Sequence, residues 1–156
     1  MECYEGATMI KTFRGVIASG EEDTIALHTN DGSTGYRIKK FSIINQSVAT
    51  KTVELVAKIY TIAGKTSSIF TVDFSDQTLL AVAYYQDNNA STATSTEVII
   101  FDQETFNQDI YIVAAEGTGS NDPINYYLEL EQVKLDMMEN TVATLKDIRN
   151  LEAGIP

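Results

Sequence analysis

The chain of 156 residues contains no tryptophan, one cysteine, one histidine and two prolines. A single cysteine excludes an internal disulfide. One cysteine with one histidine excludes a Cys/His zinc site, and a single imidazole excludes any catalytic pair of histidines. Basic residues are also scarce. There are 11 Lys and Arg against 22 Asp and Glu, a net charge of -11 at pH 7. A surface of that sign repels phosphate, so neither nucleic acid nor an anionic membrane is expected as a partner. No run approaches the roughly 18 apolar residues that span a bilayer. The first residues, Met1-Glu2-Cys3-Tyr4-Glu5, are acidic and lack the apolar stretch of a signal peptide. In that setting Asn45-Gln46-Ser47 and Asn89-Ala90-Ser91 read as chance matches to the glycosylation sequon, and Cys3 as a solitary reduced thiol.

What remains is ordinary globular usage, 44% hydrophobic and 21% charged. That is enough for one domain with a real core and no covalent or metal staple. Runs rich in Val, Ile, Thr, Tyr and Phe alternate with clusters of Gly, Ser, Asn and Asp, the pattern of an all-β chain. Strands are predicted near 9–17, 23–29, 36–46, 52–62, 67–73, 96–102, 108–115 and 124–135. The period of two places Val53, Leu55, Ala57 and Ile59 inward and Glu54 and Lys58 outward. It also places Ile124, Tyr126, Leu128 and Leu130 inward, with Glu129 and Glu131 outward. Val98–Phe101 and Ile110–Val113 are apolar on both faces, which predicts central strands or strands under a subunit contact. The expected fold is an antiparallel β-sandwich, jelly-roll-like, of about eight strands. Residues 1–8 form an N-terminal arm, 9–136 the sandwich, and 137–156 a C-terminal helix and tail.

Two segments break the β pattern. Ser75-Asp76 followed by Leu79-Leu80-Ala81-Val82-Ala83 suits a capped short helix near 76–85, with a strand as the alternative because of Val82, Tyr84 and Tyr85. Near the C-terminus, Asp136 and Glu139 have capping-box spacing. Met138, Val142, Leu145 and Ile148 then recur on one face, which predicts a helix over about 137–152.

Chemistry-bearing motifs are weak. His28 lies on an alternating strand with no nucleophile context, and reads as a surface or edge histidine. Ala63-Gly64-Lys65-Thr66 carries Gly-Lys-Thr, but Lys58 stands where a phosphate loop needs its first glycine. Glu21-Glu22-Asp23 and the pair Glu129 and Glu131 read as solvated acids, and Asn30-Asp31-Gly32 lacks the acid ladder of a calcium loop. No catalytic, cofactor-binding or metal residue is assigned, and no enzymatic activity is expected.

A set of segments carries a resemblance. Arg14-Gly15-Val16-Ile17-Ala18, Asp23-Thr24-Ile25-Ala26-Leu27 and Gly35-Tyr36-Arg37-Ile38-Lys39-Lys40-Phe41 are followed by Val72-Asp73-Phe74-Ser75-Asp76. Later come Val98-Ile99-Ile100-Phe101-Asp102, Asn107-Gln108-Asp109-Ile110-Tyr111, Asn125-Tyr126-Tyr127-Leu128-Glu129-Leu130-Glu131 and Thr144-Leu145-Lys146-Asp147-Ile148-Arg149. Over residues 9–150 the chain resembles small virion structural proteins of tailed bacteriophages, marine and cyanophage types especially. The resemblance implies a virion component assembled in the host cytoplasm. The expected role is a decoration or cement protein on the capsid exterior, with the major capsid protein as partner and a homo-oligomer, a trimer foremost. The alternative is a head-fibre or tail-associated module that binds a receptor or glycan, with Tyr84 and Tyr85 as its aromatic cluster.

Overall fold

The computed structural model describes residues 9–30, 32–48, 52–87, 94–136 and 144–145. Among them eight strands follow one another: β1 (Met9–Ile17), β2 (Glu21–Ile25), β3 (Thr34–Asn45), β4 (Val53–Tyr60), β5 (Leu79–Asp87), β6 (Thr94–Ile100), β7 (Ile110–Glu116) and β8 (Ile124–Lys134). They form two antiparallel sheets, ordered β1-β8-β3 and β2-β7-β4-β5-β6. The inward residues of both sheets meet in one core, built on Phe41, Leu55, Ile59, Ile112, Leu128 and Leu130. The chain is a β-sandwich, and the alternation in β4 and β8 assigns the inward faces correctly.

The winding is that of a jelly roll with one departure. β1 pairs with β8, β2 with β7 and β4 with β5, so each pair nests inside the one before. Regular winding would then set β6 beside β3. Here β6 pairs with β5 instead. The chain returns to β3 only afterwards, through a two-way backbone bridge between Tyr36 and Phe106. The two doubly apolar segments therefore part company: β7 is central, with both faces buried, whereas β6 is an edge strand.

The expected helix near 76–85 is a strand, β5. Leucine and alanine suit a helix locally, but here both faces of the segment are buried, Ala81 and Ala83 in the main core and Leu79 and Val82 on the opposite side. Burial on two faces removes the amphipathic signature by which a strand is usually read. The capping chemistry is real but closes turns. Asp73 accepts from the Ser75 amide and hydroxyl, and Asp76 accepts from the Thr78 amide and hydroxyl. The expected strand at 67–73 is also absent. A single 3-10 turn occupies Thr66–Ser68, and the rest is irregular. Of the predicted C-terminal helix over 137–152, Thr144 and Leu145 are helical and the remainder lies outside the described residues, as does the arm 1–8.

One close approach joins the sheets at their edge. Gly15 of β1 lies opposite Tyr126 of β8, and a Cβ there would sit 2.8 Å from the Tyr126 hydroxyl. The missing side chain lets the phenol lie over β1 and donate to Asp23 Oδ2 of β2 at 2.6 Å. Burial, with that carboxylate beside it, pushes the Tyr126 phenol well above its ordinary pKa.

Candidate docking surface

β4 carries Val56, Lys58 and Tyr60 on the outer face of the five-stranded sheet. Its neighbours add Leu79 and Val82 from β5 and Val113 and Ala115 from β7. An outer face this apolar demands cover. The connection between β4 and β5 supplies it. Residues 61–78 fold back as a strap, Ile69 inserts into the apolar layer, and Phe101 packs at its margin.

Lys58 holds the strap down. It is 0% exposed. Its Nζ donates to the backbone carbonyls of Ser68 at 2.7 Å and Thr71 at 2.6 Å. Those carbonyls are thereby satisfied without a strand ladder, which explains why 67–73 stays irregular. The ammonium also lies 5.4 Å from the Tyr60 ring centroid. Lys65 approaches the same ring at 5.4 Å and pairs with Asp76 at 3.2 Å. Burial lowers the Lys58 pKa; the field of Asp76 opposes that shift and Lys65 adds to it. Burial likewise pushes the Tyr60 phenol up to about 12, with Asp76 and Asp73 contributing. For Asp76, burial acts upward but is outweighed by the Thr78 and Lys65 hydrogen bonds, which keep it ionised below the usual carboxylate range.

On its outer side the strap presents Phe70, Val72 and Phe74, which are 64%, 46% and 53% exposed. Phe74 meets Phe101 edge-on, with centroids 5.6 Å apart. The Phe70 ring lies beside Gly117, where an added Cβ would come within 3.4 Å of it. That glycine begins a turn fixed by the buried Glu116, which accepts from the amides of Thr118 at 2.8 Å and Ser120 at 3.0 Å and from the Thr118 hydroxyl. Burial alone would raise the Glu116 pKa, but the hydrogen bonds from Thr118, Ser120 and Glu54 prevail and hold it at about 2. The result is an apolar triplet carried on a segment whose backbone is pinned from beneath.

The remaining candidates disperse. His28 Nδ1 lies 2.7 Å from Asp109 Oδ1, and that carboxylate also accepts from the amides of Leu27 and His28. The pair ties the chain after β2 to the start of β7, beside an open groove of about 420 Å³ lined by Lys11, Phe13, Leu27 and Tyr36. Glu22 accepts from the Gly64 amide, while Asp23 is engaged by Tyr126, so the Glu21–Asp23 acids serve separate contacts. Glu129 and Glu131 do point outward together, but they are half-buried and partnered by the Tyr127 hydroxyl and Lys39 rather than simply solvated. Tyr84 and Tyr85 are neighbours on β5 and face opposite sides: Tyr85 packs on the core while Tyr84 donates to Gln86. They do not form one aromatic cluster. Among the described residues no group of three or more His, Cys, Asp or Glu could hold a metal ion.

Sequence reasoning placed Lys58 on the outer face, where it lies, and missed that the strap buries it there. The available signal was its position between Val56 and Tyr60, outward residues that are themselves apolar. No protein-family model matches the chain, and no curated protein matches it.

Proposed function

We propose that the chain is a virion structural protein of a tailed bacteriophage, a decoration protein that binds the outer surface of the capsid through the major capsid protein. Its role is binding rather than catalysis. The observation that carries this reading is the exposed Phe70, Val72 and Phe74 on a strap pinned by Lys58. Apolar side chains on a backbone already pinned spare the partner the cost of ordering that backbone, so more of the burial converts into affinity. Each is worth on the order of 1.5–3 kcal/mol when fully buried. The net charge of -11 suits the exterior of a shell better than contact with packaged DNA. The chain's resemblance to phage virion proteins supplies the partner class.

The test adds purified protein to particles assembled without it. Wild type should bind with a copy number set by the capsid lattice. The double variant Phe70→Ser with Phe74→Ser should still fold cooperatively, losing about 0.5–1.5 kcal/mol with the Phe74–Phe101 contact, and should fail to bind. Binding by the variant at full occupancy would refute the patch, and binding of wild type in only a few copies would favour the fibre or tail alternative. That alternative loses its aromatic platform, since Tyr84 and Tyr85 lie on opposite faces.

A further inference from the structure

Each of the two sheets has two edge strands, and three of the four edges carry a device that discourages pairing with another chain. β1 carries the exposed Lys11 on the core-facing side of its sheet, opposite Leu130 and over the Tyr36 ring. β2 is only five residues long and holds three acids. β3 is interrupted by a bulge between Ile38 and Lys40, carries Lys39 and Lys40 there, and is bridged by Phe106. β6 has none of these. Its sequence, Thr94-Ser95-Thr96-Glu97-Val98-Ile99-Ile100, contains no proline, no lysine, no bulge and one charge. Among the described residues no strand pairs with its outer edge.

The ladder identifies which backbone groups that edge offers. The Phe101 amide donates to the Leu80 carbonyl, so by alternation residues 99, 97 and 95 also turn their amides and carbonyls toward β5. Thr94, Thr96, Val98 and Ile100 turn theirs away. We infer that β6 pairs antiparallel with β6 of a second copy of this chain, joining two five-stranded sheets into one across a two-fold axis at Val98. An antiparallel strand pair is self-complementary, so a second copy satisfies the edge with no further partner. Charge excludes Glu97 as the axis, and the apolar pairing favours Val98 over Thr96. An axis at Glu97 would set two carboxylates directly opposite each other, whereas an axis at Val98 sets Val98 against Val98, Thr96 against Ile100 and Glu97 against Ile99. The pairing is closed at two copies, in contrast to the trimer that the family resemblance suggests, and it stands independently of the capsid reading.

Sedimentation of the purified protein over about a hundredfold range of concentration tests it. Wild type should reach the mass of two chains. Because both copies are acidic, added salt should strengthen the association, the reverse of a charge-driven contact. Thr96→Pro removes an outward amide without touching the β5 ladder, and Thr96→Lys puts a cation on the edge while leaving the backbone intact. Both should sediment as single chains with the wild-type circular dichroism spectrum; the lysine variant decides the matter if the proline variant misfolds. In a Cys3→Ser background, Val98→Cys should cross-link to a covalent dimer under mild oxidation, since directly opposed Cα atoms of about 5.5 Å suit a disulfide. Glu97→Cys should not. A wild type that stays a single chain throughout, a mass of three or more, dimers that survive Thr96→Lys, or equal cross-linking at 97 and 98 would each overturn the proposal.

Discussion

The outer faces of the two sheets follow the same period of two and meet different fates. On the five-stranded sheet the outward residues are apolar, and a third layer, the strap of residues 61–78, covers them. On the three-stranded sheet the middle outward rows run Arg14–Tyr127–Ser42 and Thr12–Glu129–Lys40, and the end rows add single apolar residues, Ile10 beside Glu131 and Val16 and Ile44 flanking Asn125; the face stays open to solvent. Contacts there are shallow: Lys39 to Glu131 at 2.9 Å, the Tyr127 hydroxyl donating to Glu129 at 2.8 Å, and Lys40 lying 5.7 Å from the Tyr127 ring. The difference teaches that strand alternation fixes which residues face outward, while their chemistry dictates whether the face can remain bare. An apolar outer face recruits a covering segment, and that segment becomes a platform for new surface.

The sharpest way to break this contrast is Lys58→Ala. It removes a fully buried stem and leaves the Ser68 and Thr71 carbonyls without their donor. The expected loss is about 3–5 kcal/mol by urea unfolding, together with rapid proteolysis within 61–78. A loss under about 1 kcal/mol would mean that the apolar layer alone holds the strap.

A smaller effect is expected at Glu116, which fixes the turn beside Phe70. Glu116→Gln should cost about 2 kcal/mol at neutral pH, because amides aimed at a carboxylate lose their charged acceptor. The folded carboxyl titrates at about 2 against an ordinary value of 4.5, so its stabilising contribution is fully present above the ordinary value and fades as pH falls toward 2. Thermal melts of variant and wild type should therefore converge on acidification. A difference that stays constant down to pH 2 would assign the loss to packing rather than to charge.

The smallest effect belongs to the bare face. Lys39→Ala breaks an ion pair between an exposed lysine and a half-buried glutamate, and the expected change is under about 1 kcal/mol, shrinking further in salt. A larger loss would show that the open face contributes to the fold as the strapped one does.

Several elements were legible from residue order. Alternation in 53–59 and 124–130 located β4 and β8 and their buried faces, because a residue facing the core and its neighbour facing outward differ in hydrophobicity. The local acid chemistry at Asp76 was legible as a cap but not as a turn, because a carboxylate accepting from an amide two residues on serves either role. The candidate docking surface was not legible. Residues 67–73 read as a strand, and nothing in them announces that the Ser68 and Thr71 carbonyls belong to Lys58, about ten positions earlier.

By itself, then, the amino-acid sequence determined an all-β chain, its acidic surface and the inward faces of its most regular strands, because these depend on composition and on near-neighbour periodicity. Tertiary structure alone decided that 79–87 is a strand, that Lys58 is buried, and that β6 ends a sheet rather than lying within one. The physical reason is the same in each case. A Leu- and Ala-rich run, an outward lysine and a doubly apolar strand each have more than one stable environment, and the choice rests on which distant segment packs against them.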